Sequence, residues 1–149
     1  MAETGDITVL NTLTTTLIDS ANGYRDAAAH AESTRFQELF RQFGEERSQI
    51  VEALRTEIRR LGGDPSDDGS ILGKAHQRFL DLKAALTGRD DQAIVNEVER
   101  GEDYLKEKFE TALESDEIGP DTRTVIETAY RSVREGHDRV SALKHGMEA

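Results

Sequence analysis

Apolar residues recur at spacings of three and four along most of this chain, the period of an amphipathic helix rather than the alternation of a strand. The first such stretch covers about 7–31, with Leu10, Leu13, Leu17, Ser20, Tyr24, Ala28 and Ala31 on one face and Asp6 where an N-cap belongs. After a short break at Glu32–Ser33, Thr34 and Gln37 have capping-box spacing and open a second helix over 34–61. Its face reads Phe36, Phe40, Phe43, Glu46, Ile50, Leu54, Ile58 and Leu61, and Gly62-Gly63-Asp64-Pro65 stops it. A polar loop runs to Ser70, and a third, shorter helix over 71–87 carries Leu72, Ala75, Phe79, Leu82 and Leu86. Asp90 or Asp91 can cap a fourth helix over 91–114, through Ile94, Val98, Glu102, Leu105, Phe109 and Ala112. Pro120 suits the first position of a fifth, over 120–144, through Ile126, Ala129, Val133, His137, Val140 and Leu143.

Short connections make the first two long helices, and the last two, antiparallel neighbours. The segment between these hairpins is long enough to carry the chain from one end of a bundle to the other. The pattern predicts an all-α single domain over 1–149, a four-helix bundle with a long crossover bearing the shorter helix. An up-down meander of five helices is the alternative. The hairpins also look weakly duplicated: Gly23 and Gly101 hold comparable places, and Val51-Glu52-Ala53-Leu54 resembles Val140-Ser141-Ala142-Leu143. Both glycines, costly inside helices, are expected to serve close contact with a bulky side chain on a neighbouring helix.

Four of these faces carry one polar interruption: Ser20, Glu46, Glu102 and His137. Their distances from the hairpin turns put them near one level of the bundle, where Glu99, one turn before Glu102, can also aim. Carboxylates with an imidazole suit iron, manganese or zinc. The candidate metal ligands are therefore Glu46, Glu102, His137 and Glu99. The competing expectation is internal pairing, with Arg47 or Arg134 neutralising Glu46 or Glu102 and His137 bonded to a carboxylate. Tyr24 and Tyr130 are expected at the core edge, with their hydroxyls on polar partners.

Composition narrows the field. The 149 residues include 30 acidic and 19 basic side chains, a net charge of −11, which disfavours nucleic acid and anionic membrane surfaces as partners. There is no cysteine, hence no disulfide, zinc–thiolate site, iron–sulfur cluster or thiol nucleophile. The start, Met1 to Asp6, is acidic and lacks the basic and apolar regions of a secretory leader, and no apolar run approaches a membrane span, so a cytoplasmic location is expected. From Asp90 to Ile118 the charge is unusually negative, the ordinary mark of a solvated face.

The crossover bundle with inward carboxylates resembles the ferritin-like superfamily. More closely, Gly23-Tyr24-Arg25-Asp26, Leu82-Lys83-Ala84-Ala85-Leu86-Thr87-Gly88 and Asn96-Glu97-Val98-Glu99-Arg100-Gly101-Glu102-Asp103 resemble a bacterial family of four-helix-bundle proteins known only as a domain of unknown function. That likeness covers about 7–145 and implies a ferritin-like fold without an established activity. Di-metal members of the superfamily use two lone carboxylates and two Glu-x-x-His pairs. No Glu-x-x-His occurs here; the last helix offers Arg134-Glu135-Gly136-His137 instead.

Two functions follow as expectations. The first, preferred, is a non-catalytic interaction or stress-associated module with a degenerate metal layer, self-associating as a dimer through a helix face. The second is an iron- or manganese-binding protein, with oxidative chemistry at Glu46, Glu102, His137 and Glu99.

Overall fold

A computed structural model describes residues 2–65 and 91–148. They form four helices: α1 (Ala2–His30), α2 (Thr34–Arg60), α3 (Asp91–Glu114) and α4 (Pro120–Glu148). The chain is thus an all-α four-helix bundle, and no strand occurs among the described residues. The shorter helix expected over 71–87 lies outside them. Two ends differ from expectation. Helix α1 begins before Asp6, and α4 continues past Lys144 to Glu148.

Side-chain caps fix how the helices run. Asp6, near the start of α1, accepts from the amide of Gly119 at 2.8 Å and from the Thr122 hydroxyl at 3.0 Å, both at the start of α4. Asp91, first residue of α3, accepts from the amides of Glu32 at 2.8 Å and Ser33 at 3.1 Å, at the start of α2. The starts of α1 and α4 therefore share one end of the bundle, and the starts of α2 and α3 share the other. Helices α2 and α3 run in the same direction, so the chain must travel the bundle's length between them. That distance is about 40 Å for a helix of this size. Helix α1 packs on α2 and α3, and α4 packs on the same two, so every packed pair is antiparallel.

These caps correct two local expectations. Asp6 does not cap its own helix, and the Thr34/Gln37 capping box does not form. Ser33 is the N-cap of α2 without a side-chain hydrogen bond, and the Gln37 amide group donates to the Ala31 carbonyl at 2.7 Å. A carboxylate accepts free amides wherever it is brought to them, and here the opposite hairpin delivers it. The end of α2 is as read: Gly62, at φ 84, lets the Gly62 and Gly63 amides return to the Arg59 and Ile58 carbonyls.

The core lies in two apolar parts. One is built from Leu10, Leu13, Leu17, Ile50, Leu54, Ile58, Leu105, Phe109, Ile126 and Val133, toward the α1/α4 starts. The other holds Tyr24, Phe36, Phe40, Phe43, Ile94, Val95, Val98 and Val140, toward the α2/α3 starts. Between them falls the level of the polar interruptions.

The two helix pairs cap each other reciprocally through Asp6 and Asp91, but the sequence likeness between them does not follow that relation. Counted from Asp6 and Asp91, Gly23 and Gly101 are not equivalent; counted from the starts of α2 and α4, neither are Val51 and Val140.

Candidate functional site

Each interruption sits between apolar residues seven apart, and seven residues make slightly less than two turns. Positions three and four beyond the first residue then compete for the inward place, and packing chooses. In α3 the inward residue is Glu102, as expected; it is 2% exposed. In α2 it is Arg47 rather than Glu46, in α4 Gly136 rather than His137, and in α1 Ala21 rather than Ser20.

The expected gathering of Glu46, Glu102, His137 and Glu99 therefore does not form. The Glu46 side chain is about half exposed and faces Arg139 at 3.4 Å on the α2–α4 surface. Glu99 pairs with Lys144 at 2.8 Å. The His137 ring lies half-buried beside the layer, with Nε2 at 2.6 Å from Asp103 and Nδ1 at 3.2 Å from Asp138. Burial lowers the affinity of this imidazole for a proton, but the hydrogen bonds its ring makes to the Asp103 and Asp138 carboxylates outweigh it, and its pKa stands above the ordinary value. Among the described residues no three His, Asp or Glu side chains converge as a bound metal ion would require.

Instead, Glu102 gathers a Tyr–Glu–Arg cluster. The Arg47 guanidinium, 3% exposed, donates through Nη2 to Glu102 Oε2 at 2.7 Å. The buried Tyr24 hydroxyl donates to Oε1 of the same carboxylate in a short hydrogen bond. Arg47 also lies over the Tyr24 ring, 5.9 Å from its centroid. Three helices thus contribute one group each, and both carboxylate oxygens accept a hydrogen bond, as a buried acid demands. Burial pushes the Glu102 carboxyl above the usual carboxylate range, against the Arg47 charge and the bonds from Tyr24 and Arg47. The phenol of Tyr24 is driven well above its ordinary value by burial and by the Glu102 charge.

The fourth helix contributes space. A Cβ at Gly136 would lie 2.3 Å from Arg47 Nη2, so glycine is what admits the guanidinium to the layer. Gly101, expected to serve close contact, has nothing within 4 Å of where its Cβ would stand. One donor, Arg47 Nη1, is buried without a hydrogen-bond partner.

A second buried cluster, unforeseen in the sequence, lies at the α1/α4 starts. Glu57 is 6% exposed and takes two hydrogen bonds from Arg60, at 2.8 and 2.6 Å. Its Oε2 is 3.5 Å from the Thr122 hydroxyl that also donates to Asp6. The bonds from Arg60 hold the Glu57 carboxyl below the ordinary range although burial opposes them. Glu57 falls one place before Ile58 on the apolar face, and only the fold shows which acids at such positions turn inward.

Residues 6–115 match the family described as Domain of unknown function (DUF2383). The chain belongs to that family. No curated protein matches the chain. The matched span runs from the aspartate that caps α4 to the end of α3, and so includes Tyr24, Arg47 and Glu102 but not Gly136. Among the described residues, no helix of this family member is long and apolar enough to cross a membrane.

Proposed function

We propose that this member of the family is a bacterial, cytoplasmic, ferritin-like bundle in which the central layer does structural rather than catalytic work. Its function is then that of an interaction module, self-associating as a dimer through its helical surface. The ferritin-like part of the reading is supported by the parallel course of α2 and α3, which requires a connection along the whole bundle. The non-catalytic part rests on a single observation: the Arg47 guanidinium lies against Glu102 at the level where a bundle of this type would hold a metal ion. Arg47 supplies the positive charge that a buried carboxylate needs, and its Nη2 covers Oε2 while Tyr24 covers Oε1. A cation reaching this carboxylate must compete with both donors and overcome the repulsion of a fixed guanidinium. Nearby Glu46 and Glu99 are bound up with Arg139 and Lys144.

Metal content and mass test the reading together. Protein purified without chelators and titrated with iron and manganese should hold metal well below one equivalent. Light scattering should give a mass near twice 16.6 kDa at working concentrations. Stoichiometric iron or manganese that is lost in Glu102→Gln would overturn the structural role of the layer. A mass of 16.6 kDa at every concentration would overturn the self-association.

A further inference from the structure

Helix α4 brings no side chain into the central layer, because the residue it places there is Gly136. The adjacent ring of His137 makes the polar contact from α4 to α3 at this level. Its side chain is 16% exposed, and each of its nitrogens meets a carboxylate oxygen. Nε2 lies 2.6 Å from Asp103 on α3, and Nδ1 lies 3.2 Å from Asp138 on α4. An ionised carboxylate can only accept a hydrogen bond, and a neutral imidazole carries a single N–H. In the neutral ring one nitrogen would therefore turn a lone pair toward an anion. The imidazolium, with a proton on each nitrogen, donates to both, and it leaves neither nitrogen free to bind a metal ion.

Charges on each packed helix bear on this ring. Burial and Lys106 of α3 oppose the positive charge, and the bonds to Asp103 and Asp138 outweigh them. Glu102, the residue before Asp103, turns inward, and the ring's charge favours its ionised form. From α2, Arg47 comes to Gly136 but is bound to Glu102, and Glu46 is held by Arg139. Among the described residues two ion pairs join α3 to α4, His137–Asp103 and Lys144–Glu99. The first alone contains a histidine, the side chain whose charge changes near neutral pH.

We propose that His137 is a proton-operated clasp between α3 and α4. With both nitrogens protonated, the ring bridges Asp103 and Asp138 and holds α4 against α3 beside Gly136. When one proton passes to water, the ion pair between the helices is gone, whichever nitrogen keeps its hydrogen. The remaining bond is no longer one between opposite charges, and α4 is held less tightly at that level. Because the folded-state pKa lies above the ordinary imidazole value, the clasp is complete below the unfolded pKa and is lost as pH rises through the folded one. Asp103 and Asp138 are largely exposed, so its loss loosens the seam locally and leaves the bundle folded.

NMR of the full chain, kept with a chelator and titrated from about pH 5 to 9, tests the clasp. The His137 ring signals, assigned by their absence in His137→Gln, should titrate with a midpoint above the ordinary 6.5. Below it, both ring nitrogens should show the shifts of protonated imidazole. The midpoint should fall in Asp103→Asn and in Asp138→Asn, neither of which removes a core residue. Hydrogen exchange, corrected for its intrinsic pH dependence, gives the mechanical readout. Protection of the amides around Asp103 and His137 should step down across the same midpoint, and His137→Gln should show no step. A midpoint at or below 6.5, or one that either substitution leaves in place, overturns the assignment of charge. The expected midpoint without a step in protection overturns the clasp. A midpoint that changes when the chelator is withdrawn gives the ring to a metal ion and overturns both.

Discussion

Gly136→Ala separates two effects of opposite sign in one substitution. Alanine in a helix interior normally gains about 1 kcal/mol over glycine. At this position the new Cβ would stand 2.3 Å from Arg47 Nη2 and 3.8 Å from Glu102 Oε2. The guanidinium is the end of a flexible side chain, but it is 3% exposed and held by Glu102 at 2.7 Å, so moving it means breaking the buried pair. Separating such a pair costs about 3–5 kcal/mol, leaving a net loss of roughly 2–4 kcal/mol. For a chain of this length that corresponds to a fall of about 5–15 °C in Tm. Guanidinium unfolding followed by far-UV circular dichroism measures the loss directly. In an Arg47→Ala background the alanine strikes nothing, and the same change should add about 1 kcal/mol. A Gly136→Ala protein as stable as the parent, or more so, would refute the argument, since it would show that the guanidinium is free to shift.

Gly101→Ala, in open space on α3, should stabilise by up to about 1 kcal/mol in the same assay; a loss would mean the site is packed. Arg47→Leu and Glu102→Leu should each cost about 3–5 kcal/mol, whereas the double variant should cost far less than their sum; strict additivity would deny that the two act as a pair. Asp6→Ala should lower stability by about 1 kcal/mol and speed hydrogen exchange at the Gly119 amide, on a different helix from the substitution; unchanged Gly119 exchange would rule out the cap. Because Arg60 lowers the folded-state pKa of Glu57, this acid's contribution is present above its unfolded pKa and is lost as pH falls through the folded value. Arg60→Met should flatten that part of the acid unfolding profile, and an unchanged profile would assign the acid sensitivity elsewhere.

The helical period determined the four long helices, and the short turns determined their pairing, because both depend on local chemistry. The layer itself was legible to within one residue. Phe43 and Ile50 bracket Glu46 and Arg47 alike, and Val133 and Val140 bracket Gly136 and His137 alike. A seven-residue interval leaves both candidates near the face, so the choice belongs to packing across helices. The expectation that Arg47 neutralises Glu102 holds: a buried Glu102 needs a cation at its own level, and a glycine such as Gly136 on a facing helix makes room for one. Asp6 and Asp91 were visible as capping residues. Their targets were not, since each caps a helix distant in sequence. The Glu57–Thr122 contact likewise depends on two helices meeting at the same end.

The reciprocal capping also bears on how the chain is made. Synthesis completes α1 and α2 long before residue 91 exists. Until Asp91 arrives, the amides of Glu32 and Ser33 must be satisfied by water, and the α1–α2 turn stays unsealed. The N-terminal hairpin also carries Arg47 without its anion during that interval. The first half of the molecule is thus held back from settling into a finished unit, and the arrival of α3 supplies both missing carboxylates at once. A nascent chain so built commits late and as a whole.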